Sequence, residues 1–389
     1  MSVLKFTPIN MKNNNKKYII SAIIILILLI LFLFYFFNSN FRNFITIHIF
    51  RKQVSQDNLT SITLAENETS YIHSYDKYIT VLNRNILYTY NASGNVISEL
   101  DVDISSPIFD SNNKFLVIAE DNGDSIYLIS EENIIWQSNI DGKISKVNVN
   151  NNGYVSIIVS GNSYKSIVIT FDSKGKELFK TYLSNTIAID SDISNDNKYL
   201  SIAEIDYSGS IIKSMVKTIS IKKAISEPNN SVVYTFISED NDLITNINYQ
   251  NKNLLSCIYS DSIHTLNIND KIDSCLVTFK NQYDFADINL KNNVVYTYSK
   301  SSGFSSNTEI NITNIQNSNN NIYNFKGSIK SLYSYNEKVA INLGSEIHFI
   351  GLNGWLIKKY TSSNEINSIV LGDSIAGVIY KDKVEIIQF

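Results

Sequence analysis

The turn that decides the fold is Asp110-Ser111-Asn112-Asn113-Lys114, which lies between two apolar runs. Phe115-Leu116-Val117-Ile118 follows it with the residue types that favour strands. The same design, an Asn- or Asp-rich turn followed by an apolar run, occurs eight times along the chain. The strands after these turns are expected to begin at residues 77, 114, 154, 199, 254, 294, 338 and 374. A spacing of roughly forty residues with several short strands per unit is typical of a β-propeller.

The sequence therefore predicts an all-β propeller over residues 60–389, with eight four-stranded blades and seven as the alternative. The last unit contains runs at Ser374–Tyr380 and Lys383–Phe389 and then stops one strand short. Leu59–Leu64, at the other end of the predicted domain, has the composition of the missing strand. Because a propeller protects its sheet edges by closing its ring, we expect residues 59–64 to complete the last blade.

Glycine is scarce for a chain with so many tight turns, at 14 of 389 residues. Hairpin turns often need a positive φ, which glycine adopts without strain. Asparagine is the next best tolerated residue in this region, because its amide bonds to the local backbone. We therefore expect asparagine to take the positive-φ positions of the recurring turns.

A transmembrane helix is predicted at residues 18–37, where YIISAIIILILLILFLFYFF carries no charge. A helix of this length covers about 30 Å, the thickness of the bilayer hydrocarbon. A cleavable signal peptide has a shorter apolar core that ends in small residues. Here the run ends in Phe34-Tyr35-Phe36-Phe37-Asn38, so we favour an uncleaved anchor.

A short basic tail, residues 1–17, precedes the helix and is expected to be cytoplasmic. Residues 38–59 form a connector, in which residues 44–50 read equally as a short strand or as more helix. The propeller is then extracytoplasmic, in a single-pass membrane protein. The chain has 33 basic and 37 acidic residues and no basic block, so nucleic acid is not expected as a partner.

The sequence contains a few patterns that resemble catalytic or metal-binding motifs, and each of them has a structural explanation. Ser210-Ile211-Ile212-Lys213 has the Ser-x-x-Lys spacing of acyl-transfer enzymes but lies in a predicted strand, without the helix that motif needs. Asp190-Ser191-Asp192 and Asp121-Asn122-Gly123-Asp124 read as polar turns, since neither continues into a calcium loop. His264 and His348 fall in strands and are expected to be packing residues. The sequence thus predicts no enzyme, and no catalytic, cofactor-binding or metal-binding residues.

Two cysteines occur, Cys257 and Cys275. They are assigned to the second and fourth strands of the fifth blade, with one strand between them. Two strand spacings are about 9.6 Å, beyond the roughly 7 Å that a disulfide spans between Cα atoms. We expect both thiols to be free.

The repeats carry a resemblance to known propellers. Residues 126–136 end in Trp136 and look like the quinoprotein-type repeat, in which a turn leads to an outer strand ending in tryptophan. Residues 171–179 and 91–97 are similar, with phenylalanine or no aromatic residue in its place. No Trp-Asp or Gly-His pair of the WD40 type is present. The adjacent cysteines of quinoprotein dehydrogenases have no counterpart, so no cofactor is expected.

The whole arrangement resembles an uncharacterised family of membrane-anchored propellers from low-GC Gram-positive bacteria. We expect a protein-interaction scaffold at the cell envelope; the alternative is a small-ligand receptor or enzyme with its site in the central channel. Segments 206–221, with a long strand around residues 211–221, and 300–309 are expected as the longest irregularities between second and third strands, projecting from the membrane-distal face. The first segment and the loop after it carry Lys213, Lys217, Lys222 and Lys223. They are predicted to dock an acidic envelope partner or polymer, with ordinary solvated lysines as the alternative.

Overall fold

The computed structural model describes residues 14–37, 59–65, 68–161, 163–238, 242–279, 284–302 and 305–389, together with Phe41, Ile45 and Ile49. The predicted tail up to residue 13 lies outside the described residues. So does most of the connector, including His48 and most of the segment 44–50.

Eight antiparallel four-stranded sheets make up the fold, which confirms eight blades over the alternative of seven. Blades 1 and 2 contain β2 Ser70–Tyr75, β3 Tyr78–Asn83, β4 Ile86–Tyr90, β5 Val96–Asp101, β6 Pro107–Asn112, β7 Phe115–Glu120, β8 Ser125–Ser130 and β9 Asn133–Asn139. Blades 3 and 4 contain β10 Lys143–Val149, β11 Val155–Ser160, β12 Ser166–Phe171, β13 Glu177–Leu183, β14 Ile187–Ile193, β15 Tyr199–Asp206, β16 Lys213–Ser220 and β17 Val232–Ile237.

The second half of the ring follows the same plan. Blades 5 and 6 contain β18 Ile244–Tyr249, β19 Leu254–Tyr259, β20 Ser262–Asn267, β21 Ile272–Thr278, β22 Ala286–Leu290, β23 Asn293–Ser302, β24 Ser305–Asn314 and β25 Asn320–Lys326. Blades 7 and 8 contain β26 Ser331–Tyr335, β27 Lys338–Asn342, β28 Glu346–Gly351, β29 Leu356–Thr361, β30 Ser368–Leu371, β31 Ile375–Ile379 and β32 Lys383–Gln388, completed by β1 Thr60–Thr63. In each blade the strands neighbour one another in this order.

The last blade is closed by the first strand, as the complementary ends predicted. β1 pairs antiparallel with β32, with Thr60 opposite Ile386 and Thr63 opposite Lys383. Ile62 is buried between blades 8 and 1, in a cluster that includes Ile79. Burying such an aliphatic side chain is worth about 1.5–3 kcal/mol, so this strand is part of the core.

The N-terminal helix α1 runs from Asn14 to Phe37. Its segment Tyr18–Phe37 is long and apolar enough to cross a membrane, and no part of it is buried by the propeller. All described strands lie between Thr60 and Gln388, so the sheets and their cores are complete without this helix. Residues 59–389 therefore contain every described strand and every apolar cluster of the propeller, and α1 contributes to none of them.

The recurring turns use asparagine as expected. Asn113, Asn197, Asn292 and Asn336 take φ values of 50–58° in the turns between first and second strands, and Asp76 does the same in blade 1. Glycine is reserved for closer packing. Gly175 has φ +81°, and a Cβ there would lie 2.6 Å from Cγ of Trp136 in the neighbouring blade.

Blade 4 differs from the prediction. Residues 206–221 are not one irregular loop, because β15 and β16 pair in register along their length and leave only residues 207–212 as the connection. The third and fourth strands are joined instead by a short helix α2, Ile221–Ser226, and a 3-10 helix, Pro228–Asn230. The segment 300–309 is likewise a regular hairpin, in which β23 and β24 pair out to Ser302 and Ser305.

Cys257 lies on β19 and Cys275 on β21, with His264 of β20 paired to both. The predicted strand assignment is therefore confirmed. Both thiols are free, the first buried and the second exposed.

Candidate functional site

One polar cavity of about 890 Å³ lies at the centre of the ring. Every blade contributes to its lining from the end of its first strand or from the turn that follows. The lining residues include His73, Asn112, Asn151, Asp192, Asn195, Asn248, Asp287, Asn289, Tyr335, Lys338, Val370 and Asp373. Because strands alternate in direction, the end of the propeller that carries this mouth also carries the turns between third and fourth strands. We call this end the cavity face and the other the opposite face.

Carboxylates from the first strands of blades 2, 4 and 6 hold the next blade. Asp110 accepts a hydrogen bond from Val149 N at 2.7 Å. Asp192 accepts one from Tyr249 N at 2.6 Å, and Asp287 accepts one from Ser334 N at 3.2 Å. A buried backbone N–H without a partner costs about 1–3 kcal/mol, and each of these carboxyl groups satisfies one such donor of the next inner strand. These side chains therefore fasten neighbouring inner strands to one another.

The interface of blades 4 and 5 holds a second such carboxylate. Asp190, 2% exposed, accepts a hydrogen bond from Ile247 N at 2.9 Å and lies 2.8 Å from Lys146 Nζ. Burial raises the pKa of Asp190, while Lys146 lowers it. Burial likewise raises the pKa of Asp110 to about 7 and the pKa of Asp192 to about 8. Desolvation disfavours the charged form, so Asp110 and Asp192 exchange protons near neutral pH.

Amide and imidazole groups take the place of carboxylates at three other inner interfaces. His73 Nε2 lies 3.0 Å from Ser111 Oγ between blades 1 and 2, and its pKa is lowered by burial to about 4. Asn150 donates to Ser194 O at 3.1 Å, and Asn248 donates to Ile288 O at 2.9 Å. The polar chemistry of the inner strands is thus largely structural.

Four amides at the mouth are exceptions. Among the described residues, the side chains of Asn112, Asn113 and Asn195 make no hydrogen bond, and Oδ1 of Asn151 is buried without a partner. They lie on the successive blades 2, 3 and 4. An amide side chain both donates and accepts, so this group presents unused hydrogen-bonding capacity to the cavity. We call Asn112, Asn113, Asn151 and Asn195 the amide arc.

The motif residues are dispersed over the ring. Ser210 lies in the connection between β15 and β16, and Lys213 begins β16, so the Ser-x-x-Lys pair has no helix. Residues 121–124 form a turn, as predicted. The turn assignment of Asp190 and Asp192 was wrong, because both lie on β14 and face the neighbouring blade. Their alternation was the signal, since every second residue of a strand faces the same way.

The remaining histidines pair within the sheets. His264 Nδ1 lies 2.7 Å from Asp273. His348 is buried, with Nδ1 at 2.9 Å from the hydroxyl of Tyr323 and Nε2 against Glu346. Within the described part of the chain, no group of three or more His, Cys, Asp or Glu side chains is arranged to hold a metal ion.

The predicted lysine cluster does not form. Lys213 lies at the opposite face, whereas Lys222 and Lys223 lie on α2 at the cavity face. Lys217 lies within β16, and its Nζ is 2.7 Å from Oε1 of Glu204, whose side chain is fully buried. Cross-strand register decides this pairing, because residue 217 stands opposite Ile202 and beside Glu204. The four lysines therefore make no single docking surface.

A ring of eight four-stranded blades around a polar central cavity defines the chain as a β-propeller. The sequence model of the family described as "Family of unknown function (DUF5711)" matches residues 46–389, and the chain belongs to this family. No curated protein matches the sequence.

Solved propellers share the fold at low sequence identity. The C-terminal WD40 domain of Sif2 is 11% identical with a TM-score of 0.54, over 87% of this chain and 99% of that one. Apo AztD from Citrobacter koseri is 10% identical with a TM-score of 0.50, over 80% and 91%. The dihydro-heme d1 dehydrogenase NirN in complex with DHE is 10% identical with a TM-score of 0.50, over 86% and 74%. These likenesses concern the fold alone, which unrelated functions share.

Proposed function

We propose that this protein is a membrane-anchored, extracytoplasmic propeller that acts as a protein-interaction scaffold at the cell envelope. Residues 1–17 are the cytoplasmic tail, 18–37 the membrane span, 38–59 the connector and 60–389 the propeller. The partner binds at the mouth of the central cavity. The observation that carries this proposal is the amide arc, four side chains without hydrogen bonds to described residues, one of them with a buried oxygen, on three successive blades of one concave surface.

Unused donors and acceptors on a concave surface favour binding, because a partner that satisfies them recovers hydrogen bonds that water makes imperfectly in a confined site. On the other side of the cavity mouth, the amide side chains already make hydrogen bonds within the protein. Asn336 donates to Asp373, and Asn248 donates to Ile288 O. We therefore place the specific contacts with the partner on blades 2 to 4.

Substitution of the amide arc tests the scaffold. In cells crosslinked before membrane solubilisation, the N112A/N151A/N195A variant should recover its partners at a small fraction of the wild-type yield. The matched control is N139A/N185A/N364A, which removes three exposed amides from the opposite face. Both variants should keep the wild-type melting temperature, since none of the six amides links two blades. Equal partner recovery from the two variants would refute the assignment of the mouth.

The orientation has its own test in Cys275, which is exposed on β21, whereas Cys257 is buried with a pKa raised by desolvation. A membrane-impermeant maleimide should label intact cells that carry the wild-type chain and should not label the C275S variant. Labelling that requires cell lysis would place the propeller in the cytoplasm. This outcome would leave the cavity assignment standing.

A small-ligand receptor or enzyme with its site in the channel is the second candidate. The cavity volume of about 890 Å³ favours it, because small-molecule sites commonly occupy about 300–1,000 Å³. Thermal shift of residues 59–389 against a metabolite collection separates the two functions. A ligand that stabilises the wild type but not the D192N variant would support the second candidate.

A further inference from the structure

Lysine recurs at the turns that surround the cavity mouth. In six of the eight blades a lysine lies in the turn between the first and second strands or begins the second strand. These residues are Lys77, Lys114, Lys198, Lys252, Lys291 and Lys338. All are exposed except Lys338, which is half-buried. The repeat of the turn has therefore placed a ring of cations around one end of the propeller.

Four members of this ring form no ion pair with a described residue, and three of the four are exposed, whereas Lys338 is half-buried. Lys198 lies 2.8 Å from Asp196, and Lys291 lies 3.7 Å from Glu337. By contrast, Lys77, Lys114 and Lys252 form no ion pair with any described residue. They come from blades 1, 2 and 5 and so stand on both sides of the mouth. We call them the free lysines.

The two faces differ in charge. The described connections of the cavity face carry ten basic and nine acidic residues, whereas those of the opposite face carry four basic and ten acidic residues. The acids of the opposite face are Glu68, Asp103, Asp121, Asp124, Asp141, Asp242, Asp261, Asp284, Glu365 and Asp382. The excess of negative charge therefore lies at one end of the propeller. An anionic surface would attract the free lysines and repel the opposite face.

The path of the chain brings the same face toward the membrane. β1 begins at Thr60, opposite Ile386 near the end of β32, and the ends of third strands belong to the cavity face. The connector from α1 therefore reaches the propeller at the ring of lysines. An extended chain spans at most about 3.6 Å per residue, so a connector of this length also allows other orientations of the propeller. The charge difference between the two faces then decides which face turns toward the membrane.

We propose that the cavity face rests on the anionic headgroups of the bilayer in which the protein is anchored, held there by Lys77, Lys114 and Lys252. The inference rests on the proposed membrane anchoring and deepens it. A cavity that opens on the lipid surface receives its partner from the plane of the membrane. The partner is then a protein embedded in, or lying on, the same bilayer.

Vesicle binding of residues 59–389 tests this surface apart from the anchor. At low salt the fragment should sediment with vesicles of equal parts phosphatidylglycerol and phosphatidylcholine, and should remain in solution with pure phosphatidylcholine. Each lysine near an anionic surface contributes about five-fold in partitioning. The K77Q/K114Q/K252Q variant should therefore bind about 100-fold less. Binding should vanish at about 1 M salt, where the Debye length is about 3 Å.

The matched control is K143Q/K213Q/K381Q, which removes the same charge from three exposed lysines of the opposite face that are also without ion pairs to described residues. It should bind anionic vesicles as the wild type does. Equal losses in the two variants would overturn the proposal, since net charge alone would then explain binding. Binding of the fragment to inorganic polyphosphate, without binding to vesicles, would also overturn the proposal. The lysines would then form a binding site for a soluble polyanion.

Failure of this inference is distinguishable from failure of the proposed function. Membrane fractionation of the full chain reports on the anchor at residues 18–37, and vesicle binding of the fragment reports on the lysines. A chain that fractionates with membranes while its fragment ignores anionic vesicles would refute the headgroup contact and leave the anchor intact.

Discussion

Between blades 4 and 5, Asp190 and Asp192 accept hydrogen bonds from the backbone of the next inner strand, and Lys146 pairs with the first of them. Between blades 8 and 1, the inner strand of blade 8 carries Ile369, Val370 and Leu371. The inner contact there is a backbone hydrogen bond, Asp373 N to Asp76 O at 2.7 Å. This second interface is held by β1, a strand contributed from the other end of the propeller.

The difference shows that one ring uses two kinds of fastening. Consecutive blades are linked by the chain, so polar bonds between their inner strands can specify the angle at modest cost. Blade 8 itself has no covalent link between its third strand, β32, and its fourth strand, β1, and the pairing of these two strands replaces that link. We expect closure to respond to loss of apolar surface, and the blade 4–5 interface to respond to charge and pH.

Removal of the closing strand should give the largest effect. A fragment of residues 65–389 lacks β1 and leaves β32 as an exposed edge, so its melting temperature should fall sharply relative to residues 59–389. The I62A variant should lose about 2–5 kcal/mol of unfolding free energy, because Ile62 is 3% exposed. The S61A variant changes an exposed neighbour in the same strand and should be near neutral. A truncation that melts like the parent would refute this closure.

Loss of the amine that pairs with Asp190 should have the next largest effect. The K146A variant leaves Asp190 buried without its cation, which we expect to cost about 3 kcal/mol at pH 9. This loss of unfolding free energy should be smaller at lower pH, because protonation neutralises the carboxyl group of Asp190 that has lost its partner. Urea unfolding at the two pH values measures both quantities. The control is K143A, an exposed lysine at the start of the same strand. If the K146A loss were the same at pH 6 and pH 9, the charge would not be its cause.

Two glycines test how tightly each region is packed. Gly175 and Gly94 occupy the turns between third and fourth strands with φ of +81° and +75°. A Cβ at Gly175 meets the rigid ring of Trp136, whereas a Cβ at Gly94 meets the single Cγ2 methyl group of Thr60, a half-buried side chain. Alanine should therefore cost about 2 kcal/mol at residue 175 and about 1 kcal/mol at residue 94. The reverse order, measured by denaturant unfolding, would contradict this packing.

The pH dependence should be the smallest effect. The pKa values of Asp110 and Asp192 are raised on folding to about 7 and about 8, so stability is greatest where both are protonated. It should decline as the pH rises from about 4 to about 8, where the folded protein still holds protons that the unfolded chain has released, and should level off above about pH 8. The D192N variant should show a shallower decline, whereas I62A should keep the wild-type slope. If the free energy of unfolding changed equally with pH in all three proteins, these carboxyl groups would not be the cause of the pH dependence.

The repeat made the architecture predictable. The spacing of the turns indicated eight units. The last unit lacked one strand and residues 59–64 formed an unassigned strand, and together these two observations indicated how the ring closes. Asparagine at positive φ followed from scarce glycine. Each inference needs only local residue chemistry and its recurrence along the chain.

The site was less accessible to such reasoning. Asp190 and Asp192 alternate along β14, but the sequence does not say that this strand lines a channel beside another blade. Lys217 resembled a loop lysine because its partner, Glu204, lies on a different strand and is found only through register. The ring of turn lysines was visible in the repeats, although its position at the cavity mouth depends on how the blades close.

The strand exchange that completes blade 8 also imposes an order on folding. β1 is the first strand of the propeller to leave the ribosome, and β32, its partner, is the last. Seven blades have all their strands in sequence and are able to form as they are made, while Ile62 and Leu64 wait for the end of synthesis. Such a pairing, with the longest loop closure in the molecule, belongs to the slow step of folding. Until β32 is made, the side chains of Ile62 and Leu64 therefore lack the strand that buries them.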